Sequence, residues 1–351
     1  MASVGIVDFG SYLPGESIDL GRLELDDDPM INSPLLRPPH SRHYKNPDQP
    51  ASEMIELAAV PMFERIGLNP AKNIDIIITN VLLPDKLITG CGAEVAYRLS
   101  CRPEWIIDLH NGGCASLPYM LKLAQRLMDA ENARSALLCN VQNTAGTIFR
   151  QPEFRRKPQS AVPGDGCGVT YVVAGAPSEI LGVETLHAPE CAGDMDMSTG
   201  CARRYWEAGC GALNVKFAES KFQEIIDRGN MLVPQAVGNL CRRIGVKTGD
   251  IDVLVTNQPN RLFLRNWREE LGIEPARHLD TFDRFGNIYG AGVPVTLATA
   301  LREGGIRDGA LVAVAGFAHA GDFAAAAAFR WHPLGRPSSP AASAGNGPVN
   351  A

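Results

Sequence analysis

The apolar residues of this chain fall into short, nearly continuous runs separated by stretches of helical period, and two of these runs are copies of each other. RIGLNPAKNIDIIITN spans residues 65–80 and RIGVKTGDIDVLVTN spans 243–257. They share RIG, an acidic-apolar strand and a closing Thr-Asn, and Ile74 and Ile251 lie 177 positions apart. Each copy reads as the end of an amphipathic helix, a turn and a strand. IDIIITN and IDVLVTN are unbroken rather than alternating, so the strands are expected in a parallel sheet covered on both faces. The echo continues downstream: CASLPYMLKLAQRL from Cys114 matches GAGVPVTLATAL from Gly290, and each precedes an apolar strand, SALLCNV and GALVAVAGF. In both copies a small-residue turn opens a helix with a proline in its first turn, Pro118 and Pro294. Arg65 to Pro118 covers 53 positions and Arg243 to Pro294 covers 51, so order and spacing agree. The pattern predicts an α/β fold of two related βαβαβ halves, residues 1–178 and 179–331. From His332 the periodicity gives way to Pro, Ser, Ala and Gly, which predicts a disordered tail over 332–351.

Length and charge narrow the function. A chain of 351 residues, 45% of them hydrophobic, buries a substantial core. A net charge of -6 argues against a general nucleic-acid binder. The longest membrane-span candidate, Gly309 to Phe329, is interrupted by His319 and Asp322, and MASVGIVDFGSYLPG has no secretory pattern, so a cytoplasmic protein is expected. Nine cysteines without a CxxC pair suit a reducing compartment. His40 and His43 form an HxxH in a Pro-rich stretch without a further ligand at metal spacing, so no metal is expected. PGDGCG at 163–168 offers glycines but leads into the strand VTYVVAG, not a helix; it reads as a tight turn, not a dinucleotide site.

Chemistry is expected where strands of such a sheet end and helices begin. In DLHNGGCASLPY the apolar strand WIIDL ends at His110, Asn111, Gly112 and Gly113, and a helix begins at Cys114. Unpaired N–H groups and the helix dipole there favour a thiolate, which makes Cys114 the best nucleophile candidate. The same position also suits a small residue packed in a tight turn. NQPN at 257–260 ends the repeated strand, and FGNIYGAGVP, containing Tyr289, opens the repeated helix; symmetry brings both loops near the first. LPDKLITGCG and STGCARRYWEAG are loops expected to set pocket width.

In order along the chain, GSYLP (10–14), SRHY, ASEM, DLHNGGCAS, PGDGCG, NQPN, FGNIYGAGVP and GFAHAGDFAAAAAFRW resemble the thiolase-fold enzymes related to β-ketoacyl-[acyl-carrier-protein] synthase III, over residues 2 to about 331. The resemblance implies a five-layered αβαβα fold of two duplicated halves, a homodimer, and a Cys-His-Asn triad. The cysteine falls on Cys114 and the asparagine on Asn287, whereas the family's histidine falls on Asn257. It also implies an oxyanion hole from the backbone N–H groups of Cys114 and Gly321, and an acyl donor carried on coenzyme A or the phosphopantetheine of an acyl carrier protein, with no tightly bound cofactor.

The substitution at Asn257 bears on the reaction. An asparagine amide donates a hydrogen bond but carries no proton or positive charge, so decarboxylative condensation is compromised. Acyl transfer needs less: thiolate attack, an oxyanion hole and a second nucleophile. His319 and Asp322 flank Gly321 and form the expected base for a hydroxyl acceptor, with His110 as a weaker candidate. A strand-end histidine satisfied by backbone is the structural alternative for His319. Arg261, Arg265 and Arg268 fall on one helix face and form the candidate surface for the carrier protein or coenzyme A, although a solvated helix face has the same pattern. The expected function is therefore acyl transfer through Cys114 to a hydroxyl, amine or carrier thiol in polyketide-type secondary metabolism. The alternatives are a decarboxylative condensing enzyme or a non-catalytic partner of one.

Overall fold

A computed structural model describes residues 3–334, apart from 22–24, 27–28, 131–132 and 199–210. The first half contains β1 (Val4–Tyr12), β2 (Ile18–Asp19), β3 (Ser41–Arg42), α1 (Ala51–Arg65), β4 (Ile76–Val81), α2 (Gly92–Arg98), β5 (Trp105–Asp108), α3 (Ser116–Ala130), β6 (Ser135–Gln142) and β7 (Gly166–Ala174). The second contains β8 (Ser178–His187), β9 (Met195–Ser198), β10 (Asn214–Phe217), α4 (Phe222–Ile244), β11 (Val253–Thr256), α5 (Arg261–Glu270), β12 (His278–Leu279), α6 (Phe282–Phe285), α7 (Gly292–Arg302), β13 (Leu311–Ala318) and β14 (Phe323–Arg330).

The duplication read from sequence extends to topology. Strands run β5-β4-β6-β7-β1 in one half and β12-β11-β13-β14-β8 in the other, an identical internal order. The two sets join where β1 meets β8, at Gly5 with Glu179 and Ile6 with Ser178. The expectation of a parallel sheet holds only for the three strands at each far end, β5-β4-β6 and β12-β11-β13. The other two strands of each half pair antiparallel, so the sheets are mixed. In the second half the cause is local: β13 returns into β14 through the three-residue turn His319–Gly321, far shorter than a parallel crossover requires.

Side chains of the central strands alternate between two buried surfaces, which explains their unbroken apolar sequence. Ile76 and Ile78 of β4 pack with Leu117 and Met120 of α3 and Leu297 of α7, and Val253 and Val255 of β11 enter the same cluster from the other side. Ile77 points outward to Ala58 and Met62 of α1. Leu254 points outward to Val233 and Val237 of α4 and Trp267 of α5. Helices α3 and α7 thus lie between the two sheets while α1, α4 and α5 cover the outer faces, giving five αβαβα layers. Strand β5 differs because it is the sheet edge, and Ile106 remains 41% exposed.

The boundary expected at 178/179 falls one residue inside β8, whose first residue is Ser178; the connection from β7 is residues 175–177. The tail expected from residue 332 starts too early. The His332 N–H donates to Ser178 Oγ at 2.8 Å, and that hydroxyl donates to the His332 carbonyl at 2.8 Å, so the chain is still anchored there. Residues 335–351 lie outside the described residues. Among the described residues no helix is long and apolar enough to cross a membrane.

Candidate active site

The site assembles where β5, β11 and β13 end. Cys114 sits in a single 3-10 turn, Gly113–Ala115, that runs into α3. Gly113 has φ +49°, and a Cβ there would stand 2.7 Å from the Ala318 Cβ and 2.9 Å from His319 Nε2, so only glycine fits. On β13, a Cβ at Gly316 would stand 2.6 Å from the Cys114 carbonyl oxygen. The Cys114 turn of the first half therefore rests directly on a strand of the second.

The thiol is half-buried, and burial pushes it up to about 12, while a hydrogen bond from the Asn257 side chain pulls it back down. Desolvation thus outweighs the thiolate preference expected from the helix terminus alone, and the resting group is a thiol. Asn257 is buried and faces the Phe317 peptide, whose N–H donates to Oδ1 at 3.3 Å and whose carbonyl accepts from Nδ2 at 3.5 Å. Beside Cys114, the residues Ala115, Ala318, Phe323 and Tyr119 form an apolar wall.

The loop before α7 closes another side. Asn287 Oδ1 accepts the Tyr289 N–H at 3.0 Å, and its backbone pairs with residues 162–164, donating to Val162 O at 3.0 Å and accepting the Gly164 N–H at 3.1 Å. Tyr289 has φ +47°, a costly conformation for a tyrosine. Burial raises its hydroxyl well above the usual range, and the neighbouring Cys114 adds to this. Tyr289 is the counterpart of Gly113 in the repeat, and the two share a left-handed backbone. Asp165 ties the PGDGCG segment to its neighbours by accepting N–H groups of Lys45, Ala145 and Gly146, and burial pushes its carboxyl up to about 6. The tight turn expected of that motif is not what forms: Pro163 makes an isolated parallel bridge to Asn287, and Gly166–Gly168 are the first three residues of β7.

Strand β13 ends in three successive left-handed residues, His319, Ala320 and Gly321, at φ +46°, +64° and +102°. This turn brings His319 against the Cys114 turn. His319 Nδ1 lies 3.1 Å from Asp322 Oδ1, so a neutral imidazole that donates from Nδ1 presents the Nε2 lone pair beside Gly113. Asp322 thereby has a partner at the mouth of its buried strand. His110 is exposed.

Cys114, Asn257, His319 and Asp322 thus come together from three loops, whereas the Asn287 side chain is taken up by the Tyr289 N–H of its own loop. The arginine face does not form one free surface. Arg261 is committed to Asp283, donates to Pro38 O at 3.0 Å and lies over the Phe282 ring. Arg265 faces Glu269 at 3.9 Å. Within NQPN only Asn257 reaches the thiol; Gln258 donates to Thr296 at 2.7 Å, and Asn260 caps α5 by accepting the Phe263 N–H at 3.0 Å. Loop 83–92 carries Asp85, which accepts the Ala51 and Ser52 N–H groups at the start of α1. Most of the other width-setting loop, including Cys201, lies outside the described residues.

Two residues that sequence reasoning did not single out reach the backbone of the site. Asn80 Nδ2 donates to Gly113 O at 3.3 Å, and Arg228 of α4 donates to Ala320 O at 3.0 Å. The repeated Thr-Asn ending pointed at Asn80. Nothing local marks Arg228, one basic residue on a long amphipathic helix.

Comparison with known proteins agrees with this architecture. Residues 241–331 match the family model for the 3-oxoacyl-[acyl-carrier-protein (ACP)] synthase III C terminal. A β-ketoacyl-[acyl-carrier-protein] synthase III of Clostridium perfringens is 22% identical over 319 residues, covering 90% of this chain and 96% of its own. The crystal structure of 3-oxoacyl-(acyl carrier protein) synthase III from Pseudomonas aeruginosa PAO1 superposes with a TM-score of 0.79 at 23% identity, covering 95% of this chain and 100% of that one. The priming β-ketosynthase of the R1128 polyketide biosynthetic pathway superposes with a TM-score of 0.80 at 19% identity, covering 95% and 98%. The thiolase-like fold and the resemblance to ketosynthase III enzymes are thus borne out.

Proposed function

We propose that this chain, a ketosynthase III-like protein of thiolase-like fold, is an acyltransferase that takes an acyl group from a coenzyme A or acyl-carrier-protein thioester onto Cys114 and passes it to a hydroxyl, amine or carrier thiol. The observation that carries this reading is the His319–Asp322 pair beside the nucleophile turn, together with an amide at Asn257. The site holds a base and lacks an imidazole at position 257.

His319 Nε2 takes the Cys114 proton while Asp322 holds the imidazole by Nδ1 and stabilises the imidazolium. Sγ attacks the thioester carbonyl, and the oxyanion is met by the backbone N–H groups of Cys114 and Gly321. The carbon–sulfur bond to the carrier breaks, and the departing thiolate receives the proton from His319. In the second half His319 takes the acceptor's proton, the acceptor attacks the acyl-enzyme carbonyl, and Sγ leaves to recover its proton. A base is required because the resting thiol is held up to about 12. The amide of Asn257 fits the same scheme as a donor to sulfur. The named relatives include a polyketide priming ketosynthase, which supports placing this activity in polyketide-type metabolism.

Intact-mass measurement after incubation with acyl thioesters tests the reading. An adduct that is absent from Cys114→Ala and discharged by an alcohol, amine or thiol supports it. Carbon dioxide release from malonyl thioesters with a β-keto product supports condensation instead. We further propose a cytoplasmic homodimer built on edge strand β5, where Leu87, Ile88 and Tyr97 and the edge residue Ile106 are exposed apolar side chains. Light scattering on the purified protein checks the oligomeric state.

A further inference from the structure

A peptide's C=O and N–H point in opposite directions across one rigid plane. A donor that grips the carbonyl from behind therefore fixes where the N–H points, and by polarising the amide makes that N–H a stronger donor. Both amides assigned to the oxyanion are gripped in this way. The Cys114 N–H shares its peptide with Gly113 O, which accepts from Asn80 Nδ2 at 3.3 Å. The Gly321 N–H shares its peptide with Ala320 O, which accepts from Arg228 Nη2 at 3.0 Å and Nε at 3.3 Å.

Neither grip is incidental to the surface. Arg228 is held by buried Asp194, whose Oδ2 lies 2.5 Å from its Nη2 and whose Oδ1 takes Lys221 Nζ at 2.7 Å. A Cβ on Gly321 would stand 3.1 Å from Arg228 Nε, so the guanidinium is pressed against the turn it serves. Asn80 is buried behind the other amide. A Cβ on Gly290 would stand 2.9 Å from its Nδ2, and 2.7 Å from the hydroxyl of Ser116, which donates to Asn140. The turn at His319–Gly321 is left-handed throughout, a conformation that needs an external hold to persist.

We propose that Arg228, anchored by Asp194, and Asn80 are positioning residues of the oxyanion hole, each acting through the carbonyl of a peptide whose N–H faces the reacting thioester. The inference rests on the acyl-transfer reading. Its test compares two reactions of the same sulfur. Acylation by a thioester passes through an oxyanion; alkylation by iodoacetamide displaces iodide at carbon and forms none. Arg228→Met and Asn80→Ala are compared with wild type by intact mass for both rates, with melting temperature as the control for folding. Arg228→Lys is the conservative variant.

Removing an oxyanion donor itself costs on the order of a hundredfold or more, so loss of a carbonyl grip should slow acylation roughly tenfold. Alkylation should be unchanged, and the lysine variant should recover part of the loss. Equal slowing of both reactions would show a general packing role and overturn the inference, as would unchanged acylation in both variants. A wild-type Cys114 that alkylates but accepts no acyl group would overturn the acyl-transfer reading, and this inference with it.

Discussion

Asn257 occupies in the second half the place that Asn80 occupies in the first. Each follows the threonine near the end of a central strand, and each carboxamide donates to a backbone carbonyl, Phe317 O for one and Gly113 O for the other. The residue standing where a proton-carrying histidine is expected is thus built into the scaffold. Asn257→His puts a larger ring into a buried site and loses at least one of the two contacts with the Phe317 peptide, at a cost of about 1–3 kcal/mol. The melting temperature should fall, and carbon dioxide release from malonyl thioesters should stay at background in a radiometric assay.

The His319–Asp322 pair makes a separate prediction. Truncating a general base typically costs about 10²–10⁴ in rate, so His319→Ala should lower acyl transfer to an alcohol by that order. Asp322→Asn, which keeps shape but removes the charge stabilising the imidazolium, should cost less than His319→Ala while leaving the melting temperature nearly unchanged. Transfer that survives His319→Ala undiminished would assign the base elsewhere.

The thiol of Cys114 should betray its desolvation. Alkylation follows the thiolate fraction, which grows roughly tenfold per pH unit below the pKa. With the thiol pushed up to about 12, alkylation should keep rising beyond pH 10. A plateau near pH 8 would show that the helix terminus prevails after all.

His278 ties β12 to β11, its Nε2 lying 3.0 Å from Thr256 Oγ1. Burial lowers its pKa to about 4 from the ordinary 6.5, with the charge of Arg268 contributing. The unfolded chain binds this proton first, so the contribution of His278 is intact above pH 6.5 and is lost as pH falls toward 4, to a total of about 3 kcal/mol. Asp165, raised to about 6, works in the opposite sense, with stability gained as pH falls through the same region. Denaturant melts at pH 7 and pH 4.5 should therefore show a smaller acid loss in His278→Gln than in wild type.

Gly316→Ala is expected to be disproportionately harmful. The added methyl would stand 2.6 Å from Cys114 O, a backbone atom that cannot rotate away. Overpacking of this kind costs about 1–3 kcal/mol. Acylation should also fall well beyond what the stability loss explains, since Cys114, the proposed nucleophile, is itself displaced. Rapid mixing with a thioester, followed by mass measurement, reads this directly.

Much of this was legible in the sequence because the duplication repeats its signals. The paired Thr-Asn strands, Pro118 with Pro294 and the glycine turn at Cys114 all fall where the repeat puts them. What the sequence concealed depends on distant partners. Arg261 reads as a free cation on a helix face until the chain around Pro38, more than two hundred residues earlier, is folded against it. Arg228 meets the site only because α4 packs across the end of β13. The antiparallel strands were hidden for another reason. A strand covered on both faces has the same composition whichever way it runs, and only the length of its connection tells the directions apart.

The close fit between Gly316 and the Cys114 carbonyl has a consequence for how such a molecule arises. The reactive turn belongs to one copy of the repeat, and the surface that shapes it belongs to the other. A half-length ancestor would have had to pair with itself to complete even one such centre, and its symmetry would have produced two. The first copy carries a sulfur at position 114, whereas its counterpart in the second is Gly290, whose bare backbone leaves room for the Gly113 carbonyl oxygen, 2.6 Å from where a Cβ would stand.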